Sequence, residues 1–422
     1  MRRIFLIFAA IAVVSGPLAA QVALPGVQVP RVGEIVGPVT SELDRQIDRG
    51  SRLAARLAQD RLREIDRFVR RNDRLVERDA RGDPARRGEL LVLDADKAML
   101  DLARGSGYGV LETGTIEGLG IAFARLGTPE GSELAEAERA LAALLPGATV
   151  SADSLHFQSG EVAAGGPAIA PGGAGAALPL AARAAAAAGA GAGGVPVGVI
   201  DGAPGKAVPV AQVRGFAEGA PIASHHGSAV ASLLASAGAG PIRVADVYGT
   251  DKAGGNALAI ARALGWLSAR GTRVAVISLV GPRNPVLRRA VAAAQSKGMV
   301  VVAAVGNGGP AAPLAYPASY DGVVSVTAVD RRRRALIEAG RALDLDYAAP
   351  GADVFGLDAR GKRVRLRGTS FATPLAAARV ARALGQGGRW RAVLDREAID
   401  LGRKGRDEVF GRGLLCADCR GH

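Results

Sequence analysis

The sequence predicts an α/β protein with a doubly wound parallel sheet, preceded by a small α+β domain and an amphipathic helical region. The main observation is that short apolar runs alternate with helical patterns across residues 195–385. This alternation is typical of a parallel sheet with helices on both faces. Residues 87–158 add a β-α-β-β-α-β order, and residues 41–81 add apolar side chains at helical spacing.

Composition and charge favour a globular protein with no nucleic-acid partner. The chain has 422 residues, 49% of them hydrophobic, and a formal net charge of +13. A chain of this length usually forms more than one domain. Basic proteins can bind nucleic acid or anionic membranes, but no nucleic-acid-binding motif or aromatic-interleaved basic patch occurs. We interpret the charge as arginine-rich solvated surface.

Residues 1–21 have the layout of a secretory signal peptide. Two arginines precede an apolar run over residues 4–14, and small residues follow it. The run is too short for a membrane span of ordinary length. We therefore expect an exported protein, periplasmic or secreted. Leu18 is unusual near a cleavage site, so a membrane-tethered form with an uncleaved segment is the alternative.

Residues 22–86 are expected to hold a linker and a basic amphipathic helical region. The Pro/Gly/Val-rich part, Ala23–Val39, is interpreted as extended. Residues 41–81 predict a long helix or a helix pair with Gly50 as a candidate break. The plain interpretation is packing against the same protein. The alternative is contact with another protein or an anionic membrane surface.

Residues 87–158 predict a ferredoxin-like domain from the order of their elements. The expected strands and helices are Glu89–Leu93, Lys97–Arg104, Tyr108–Thr115, Leu119–Leu126, Glu130–Leu145 and Ala148–Phe157. Residues 159–194 are Ala/Gly-rich and predict a flexible linker with a candidate helix at Leu178–Ala188.

Residues 195–385 predict the parallel sheet. Its expected elements are Pro196–Asp201, His226–Ser236, Ile242–Val247, Asn256–Arg270, Val274–Leu279, Pro285–Lys297, Met299–Ala304, Val323–Ala328 and Ser370–Leu384. Residues 386–422 form a basic tail, either wrapped on this domain or processed. Its Cys416 and Cys419 suit a small-loop disulfide in an exported protein, whereas a zinc site would need further ligands.

Four polar side chains follow or open these elements. Asp201 ends a strand where open α/β sheets bind ligands, and His226 opens a helix. Asn307 follows a buried strand, and its amide can donate to an oxyanion. Ser370 precedes a helix, and a nucleophilic serine needs a histidine base oriented by a carboxylate. Each residue alone has a structural explanation as a turn or cap, and His225 is a rival for His226.

The sequence segments around these residues resemble motifs of the subtilisin-like serine peptidases. They are Val-Ile-Asp-Gly, His-Gly-Ser-Ala-Val-Ala, Ala-Val-Gly-Asn-Gly-Gly, Tyr-Pro-Ala and Gly-Thr-Ser-Phe-Ala-Thr-Pro. The order Asp, His, Ser is the one found in that family, and the resemblance runs from about Val195 to Leu384. Five motifs in the family's order make coincidence improbable.

The resemblance implies a serine endopeptidase acting on polypeptide substrates. Ser370 would be the nucleophile, His226 the base, Asp201 its orienting partner and Asn307 an oxyanion donor. The resemblance implies no redox or organic cofactor. No acidic loop of calcium-binding type stands out, so we expect no metal.

The substrate would bind along Ser278-Leu279-Val280-Gly281, which resembles the family's edge strand. Val280 stands where glycine is usual, and Gly308 stands where relatives often carry an acid. Together with Ala315 ahead of Tyr316-Pro317, they imply an uncharged, restricted pocket that favours apolar or small residues before the scissile bond.

Residues 87–158 occupy the place of the family's propeptide, which acts as chaperone and intramolecular inhibitor. Its tail, Ser154–Gln158, would lie as a strand in the substrate groove, and self-cleavage is expected near residues 157–160. His156 in this tail is a candidate pH-sensitive group. The rival interpretation is a catalytically silent subtilisin-fold scaffold acting through its N-terminal helical region.

Overall fold

The computed structural model describes residues 32–158 and 194–419, with side chains from residue 52 onward. The chain divides into two compact units, Met1–Ser51 and Arg52–His422. The expected signal peptide, most of the 159–194 linker with its candidate helix, and His422 lie outside the described residues.

The first helix, α1, is Val32–Arg71. The expected extended conformation of Ala23–Val39 is therefore wrong from Val32 onward, because apolar residues in that stretch already repeat at helical spacing. Gly50 does not break the helix, since one glycine costs only about 1 kcal/mol relative to alanine. Beyond residue 52, α1 turns Leu57, Arg61 and Ile65 inward, at a spacing of four residues.

The small domain is an antiparallel sheet with two helices, in the ferredoxin-like order β3-β4-β2-β5. Its elements are β1 Val76–Arg78, β2 Pro84–Leu93, α2 Lys97–Gly105, β3 Gly109–Ile116, β4 Ile121–Gly127, α3 Leu134–Leu144 and β5 Thr149–Ser154. Helix α3 begins at Leu134 rather than at the predicted Glu130. Gly131 has a φ of +76°, which is not helical, so the chain forms a turn before the helix begins. The predicted strand Ala148–Phe157 ends at Ser154, and a separate strand β6, Phe157–Gln158, leaves this sheet.

The larger domain has a seven-stranded parallel sheet in the order β14-β13-β12-β10-β7-β9-β8, so the predicted fold class is confirmed. Its elements are β7 Val197–Asp201, β8 Gln212–Gly215, α4 His225–Ser236, β9 Ile242–Asp246, α5 Ala257–Ala269, β10 Val274–Ile277, β11 Leu279–Val280, α6 Pro285–Ser296, β12 Val300–Ala304, β13 Val324–Val329, β14 Tyr347–Pro350, β15 Ala352–Leu357, β16 Arg363–Arg367, α7 Thr369–Gly385 and α8 Trp390–Glu397. Helices α4 and α7 cover one face of the sheet, and α5 and α6 cover the other.

Sequence patterns missed β8, β14 and the hairpin β15–β16. These strands are short, and the outer face of β16 carries three arginines that hide its alternating pattern. The predicted strand Val274–Leu279 is split after Ile277, because the chain turns at Ser278 to form β11.

The C-terminal tail wraps on the larger domain. Leu414 and Leu415 are buried, and Leu415 N donates to Ala348 O on β14. Cys416 and Cys419 form a disulfide, as the spacing predicted. Among the helices described, none combines the length and apolar character needed to cross a bilayer.

Candidate active site

Asp201 and His226 meet at the carboxyl edge of the sheet. Asp201 ends β7, an inner strand of the sheet, and is fully buried, and His226 lies in the first turn of α4. His226 Nδ1 lies 2.8 Å from Asp201 Oδ2 and 3.1 Å from Oδ1. Gly202 N donates a hydrogen bond to Asp201 Oδ1, which helps to fix the orientation of the carboxylate. His225, the rival, is exposed and lies 3.9 Å from Asp358.

Ser370 and Asn307 meet around Gly368. Ser370 is buried in the first turn of α7, where free backbone N–H groups and the positive end of the helix dipole lie. A Cβ on Gly368 would lie 2.8 Å from Asn307 Nδ2 and 3.5 Å from Ser370 Oγ. Glycine with a φ of +144° is therefore required there. Thr369 N donates to Asn307 Oδ1, which fixes the orientation of the amide with Nδ2 next to Gly368.

The two pairs belong to one site. The ring of Phe371, directly after Ser370, lies 5.4 Å from the ring of His226. Helices α4 and α7, which carry these residues, pack side by side in one core cluster. Ser278, at the turn before β11, donates from its hydroxyl to Ser370 O. An acid, an imidazole, a hydroxyl and an amide thus converge on one edge of the sheet.

The tail segment, residues 155–158, lies in a groove beside this site. His156 N donates to Gly255 O, and β6 pairs antiparallel with β11 so that Phe157 faces Val280 and Gln158 faces Leu279. Gly281 is close against the ring of His156, where a Cβ would approach the imidazole to 2.5 Å. The groove therefore holds an extended chain by strand pairing on both sides.

Gln158 reaches the acid itself. Its Nε2 donates to Asp201 Oδ1 at 2.8 Å. The sequence pattern placed Gln158 in the tail but could not reveal this contact, because it depends on how deeply the tail enters the groove. The tail thus occupies the space immediately beside the Asp201–His226 pair.

Strand β5 anchors the tail on the larger domain. Asp153 is buried and accepts a hydrogen bond from Leu258 N, in the first turn of α5. Burial raises the pKa of Asp153 to about 7, and the Leu258 N–H opposes this rise. Asn284, which caps α6, donates to Ala152 O.

His156 is held as a neutral ring. It is fully buried, and neither ring nitrogen makes a hydrogen bond of ordinary geometry. Burial lowers the pKa of His156 to about 4, and the nearby Ser154 backbone offsets only part of this effect. The groove therefore favours the tail with an uncharged histidine.

A cavity of about 420 Å³ lies between α1, the tail and the strand ends. Val280, Asn307 and Gly308 form one side of it. Glu338 and Arg367 also line it and form an ion pair. No sequence motif marks these two residues, so they could not be predicted from the sequence. Within residues 52–158 and 194–419, no group of three or more His, Cys, Asp or Glu side chains is arranged to hold a metal ion.

Known proteins are similar to this chain in sequence and in fold. A profile of the subtilase family matches residues 215–413. Subtilisin Savinase from Lederbergia lenta is 32% identical over 206 residues, which cover 46% of this chain and 75% of that protein. The alkaline protease of Shouchella clausii is 32% identical over 206 residues, but the match covers only 53% of its length.

The fold agrees with a solved structure. Fervidolysin from Fervidobacterium pennivorans, a keratinolytic enzyme related to subtilisin, superposes with a TM-score of 0.60 at 18% identity, covering 80% of this chain and 61% of that one. This neighbour supports the fold, while the sequence match to Savinase supports the family. The chain therefore belongs to the subtilase family, with the fold of a subtilisin-like serine endopeptidase.

Proposed function

We propose that this chain is an exported serine endopeptidase made as a zymogen that cuts itself. The observation that carries the proposal is the position of the tail segment. It lies in the groove, where Gln158 donates a hydrogen bond to Asp201. Export is supported by the signal-peptide layout of residues 1–21. A silent scaffold is not favoured, because a scaffold has no need for Asp201, His226, Asn307 and Ser370 in one site.

Ser370 would attack the substrate carbonyl and form an acyl-enzyme. His226 would take the proton from the Ser370 hydroxyl and give it to the leaving amine, and Asp201 would hold the imidazole and stabilise its charged form. Asn307 Nδ2 and the Ser370 backbone N–H would donate to the oxyanion. Water would then release the acyl group by the same route in reverse.

Residues 87–158 would inhibit the catalytic domain, residues 195–385, by occupying its groove. An extended chain paired with β11 is the geometry in which a peptide substrate would bind. Val280, Gly308 and their neighbours Ser278, Leu279 and Gly281 would bind substrate in an uncharged, restricted pocket. Polypeptides with small or apolar residues before the scissile bond are the substrates we propose.

We expect the first cut just beyond Gln158, since among the described residues it is the last one paired with β11. Expression of the full chain, followed by intact mass and N-terminal sequencing of the fragments, tests this. A new N-terminus within residues 159–161 is the expected result. An active preparation consisting only of chains that still join residues 157 and 162 would contradict self-processing.

We expect acid to weaken docking of the tail through His156. Burial holds its pKa at about 4, and release into water would restore the ordinary value of 6.5. Below pH 6.5 the released tail therefore binds a proton that the docked tail does not, until both are protonated below about pH 4. The contribution of His156 to docking of the tail is therefore complete above pH 6.5. Between pH 6.5 and about pH 4, it lowers the docking equilibrium constant by about tenfold for each unit that the pH falls.

The measurement is hydrogen exchange of residues 155–158 from pH 4 to 8 in the uncut Ser370→Ala chain. Asp153 acts in the opposite direction, because its pKa is raised to about 7 in the docked state. A His156→Leu chain keeps that effect, so the ratio of the two opening constants isolates His156. The ratio should rise as the pH falls through 6 and 5. A ratio independent of pH would contradict the role of His156.

A further inference from the structure

Helix α1 lies over the wall that carries the Asn307 amide. A Cβ on Gly308 would meet Arg61 Cδ at 2.9 Å, and a Cβ on Gly309 would meet Leu57 Cβ at 3.0 Å. These two glycines directly follow Asn307 in the chain. Leu57, Arg61 and Ile65 also line the cavity beside the site. The helix therefore touches the groove at a place distinct from the tail.

The same helix also holds the tail from outside. The ring of Phe68 packs edge-on against Phe157 with 5.1 Å between centroids. Phe68 and Val69 form a small apolar cluster with Val76, Leu155 and Phe157. One face of α1 thus covers the tail at the C-terminal end of the helix and the Gly308–Gly309 wall about two to three turns earlier.

Arg61 makes this contact specific. Its side chain is half-buried against Gly308, and burial lowers its pKa while the charge of Asp83 acts in the opposite direction. On the other side of the helix, Arg63 is exposed and pairs only with Asp60 at 3.5 Å among its described contacts.

We propose that the Arg52–Arg71 part of α1 is a second inhibitory segment, which covers the substrate groove at Gly308 and Gly309. This rests on the proposed function and adds a step to it. The first cut frees the end of the tail, but extended substrates still cannot bind until α1 has left the groove. The delay between the first cut and hydrolysis of added protein then depends on the contacts of the helix as well as on those of the tail.

The first test needs no catalysis and uses the full Ser370→Ala chain. Hydrogen exchange of residues 306–309 should be slow in this chain and faster with Arg61→Glu, which places a carboxylate near Glu64 and Glu338. The matched variant Arg63→Glu changes the same charge on the exposed side and should behave like the parent. A second pair, Leu57→Asp and the control Leu62→Asp, guards against an effect peculiar to arginine.

The second test follows activity in chains that keep Ser370. The rate of the first cut should be unchanged in Arg61→Glu, because the tail contacts remain. The delay before hydrolysis of labelled casein should shorten by about tenfold, the effect of losing one buried contact of ordinary strength. Arg63→Glu should keep the delay of the parent.

The outcomes separate this proposal from the proposed function. Exchange or delay that is equal in Arg61→Glu and Arg63→Glu overturns the role of α1, and so does a delay of zero in the parent. Slow exchange that Arg61→Glu and Leu57→Asp relieve and their two controls do not, in a protein that never cuts itself, supports the covering helix while contradicting the proposed function.

Discussion

Replacing Ser370 by alanine should leave the full chain uncut and abolish hydrolysis of protein substrates. The hydroxyl lies at the start of α7, next to Gly368 as Asn307 Nδ2 does, and alanine removes only the reacting atom. The expected loss in kcat, about 10⁶-fold, is the value known for subtilisin itself and is not calculated from this structure. Intact mass and casein hydrolysis measure the two effects.

The control is Ser296→Ala, at the exposed end of α6. It removes a hydroxyl far from the site and should cut itself and hydrolyse casein like the parent. Normal self-cleavage of the Ser370→Ala chain would contradict the assignment of the nucleophile.

Replacing Asp201 by asparagine should lower kcat by about 10⁴-fold with little change in fold. Oδ1 accepts from Gly202 N and Gln158 Nε2, so the amide oxygen should occupy that position. The amide nitrogen would then replace Oδ2, which lies 2.8 Å from His226 Nδ1. This amide nitrogen would donate to His226 Nδ1, so the ring proton would move to Nε2. A protonated Nε2 could no longer accept the proton of Ser370.

Asp246→Asn is the matched control. Asp246 is the register partner of Asp201 on β9 and is also fully buried, but it accepts from backbone N–H groups of Ile222, Tyr248 and Gly249. It should lower thermal stability without a comparable loss in kcat per folded molecule. Equal losses of kcat in the two variants would mean that Asp201 acts through stability alone.

The fold and the four polar residues could be predicted because each has a local signal. Asp201 and Asn307 follow apolar runs, and the edge to which a parallel strand delivers its last residue is fixed by sheet geometry. His226 and Ser370 open helices, and the family resemblance put all four in one site. Alternation of strands and helices likewise predicted the central strands of the parallel sheet.

The contacts between distant segments could not be predicted. The amphipathic pattern of α1 indicated a buried face, but the residues that it covers, Gly308 and Gly309, are far away in sequence. The reach of Gln158 to Asp201 depends on the depth of the tail in the groove. The apolar pattern predicted a strand as far as Leu279, but β10 ends at Ile277. The chain turns at Ser278, whose hydroxyl donates to Ser370 O on a segment far away in sequence.

The most direct test of the central claim is mass spectrometry of the full chain after labelling with a fluorophosphonate, beside the Ser370→Ala chain. The account predicts an adduct on Ser370 in a fragment that begins just beyond Gln158, and an unlabelled, uncut chain for the variant. An adduct on another serine, or no adduct after proteolytic removal of residues 1–158, would contradict it.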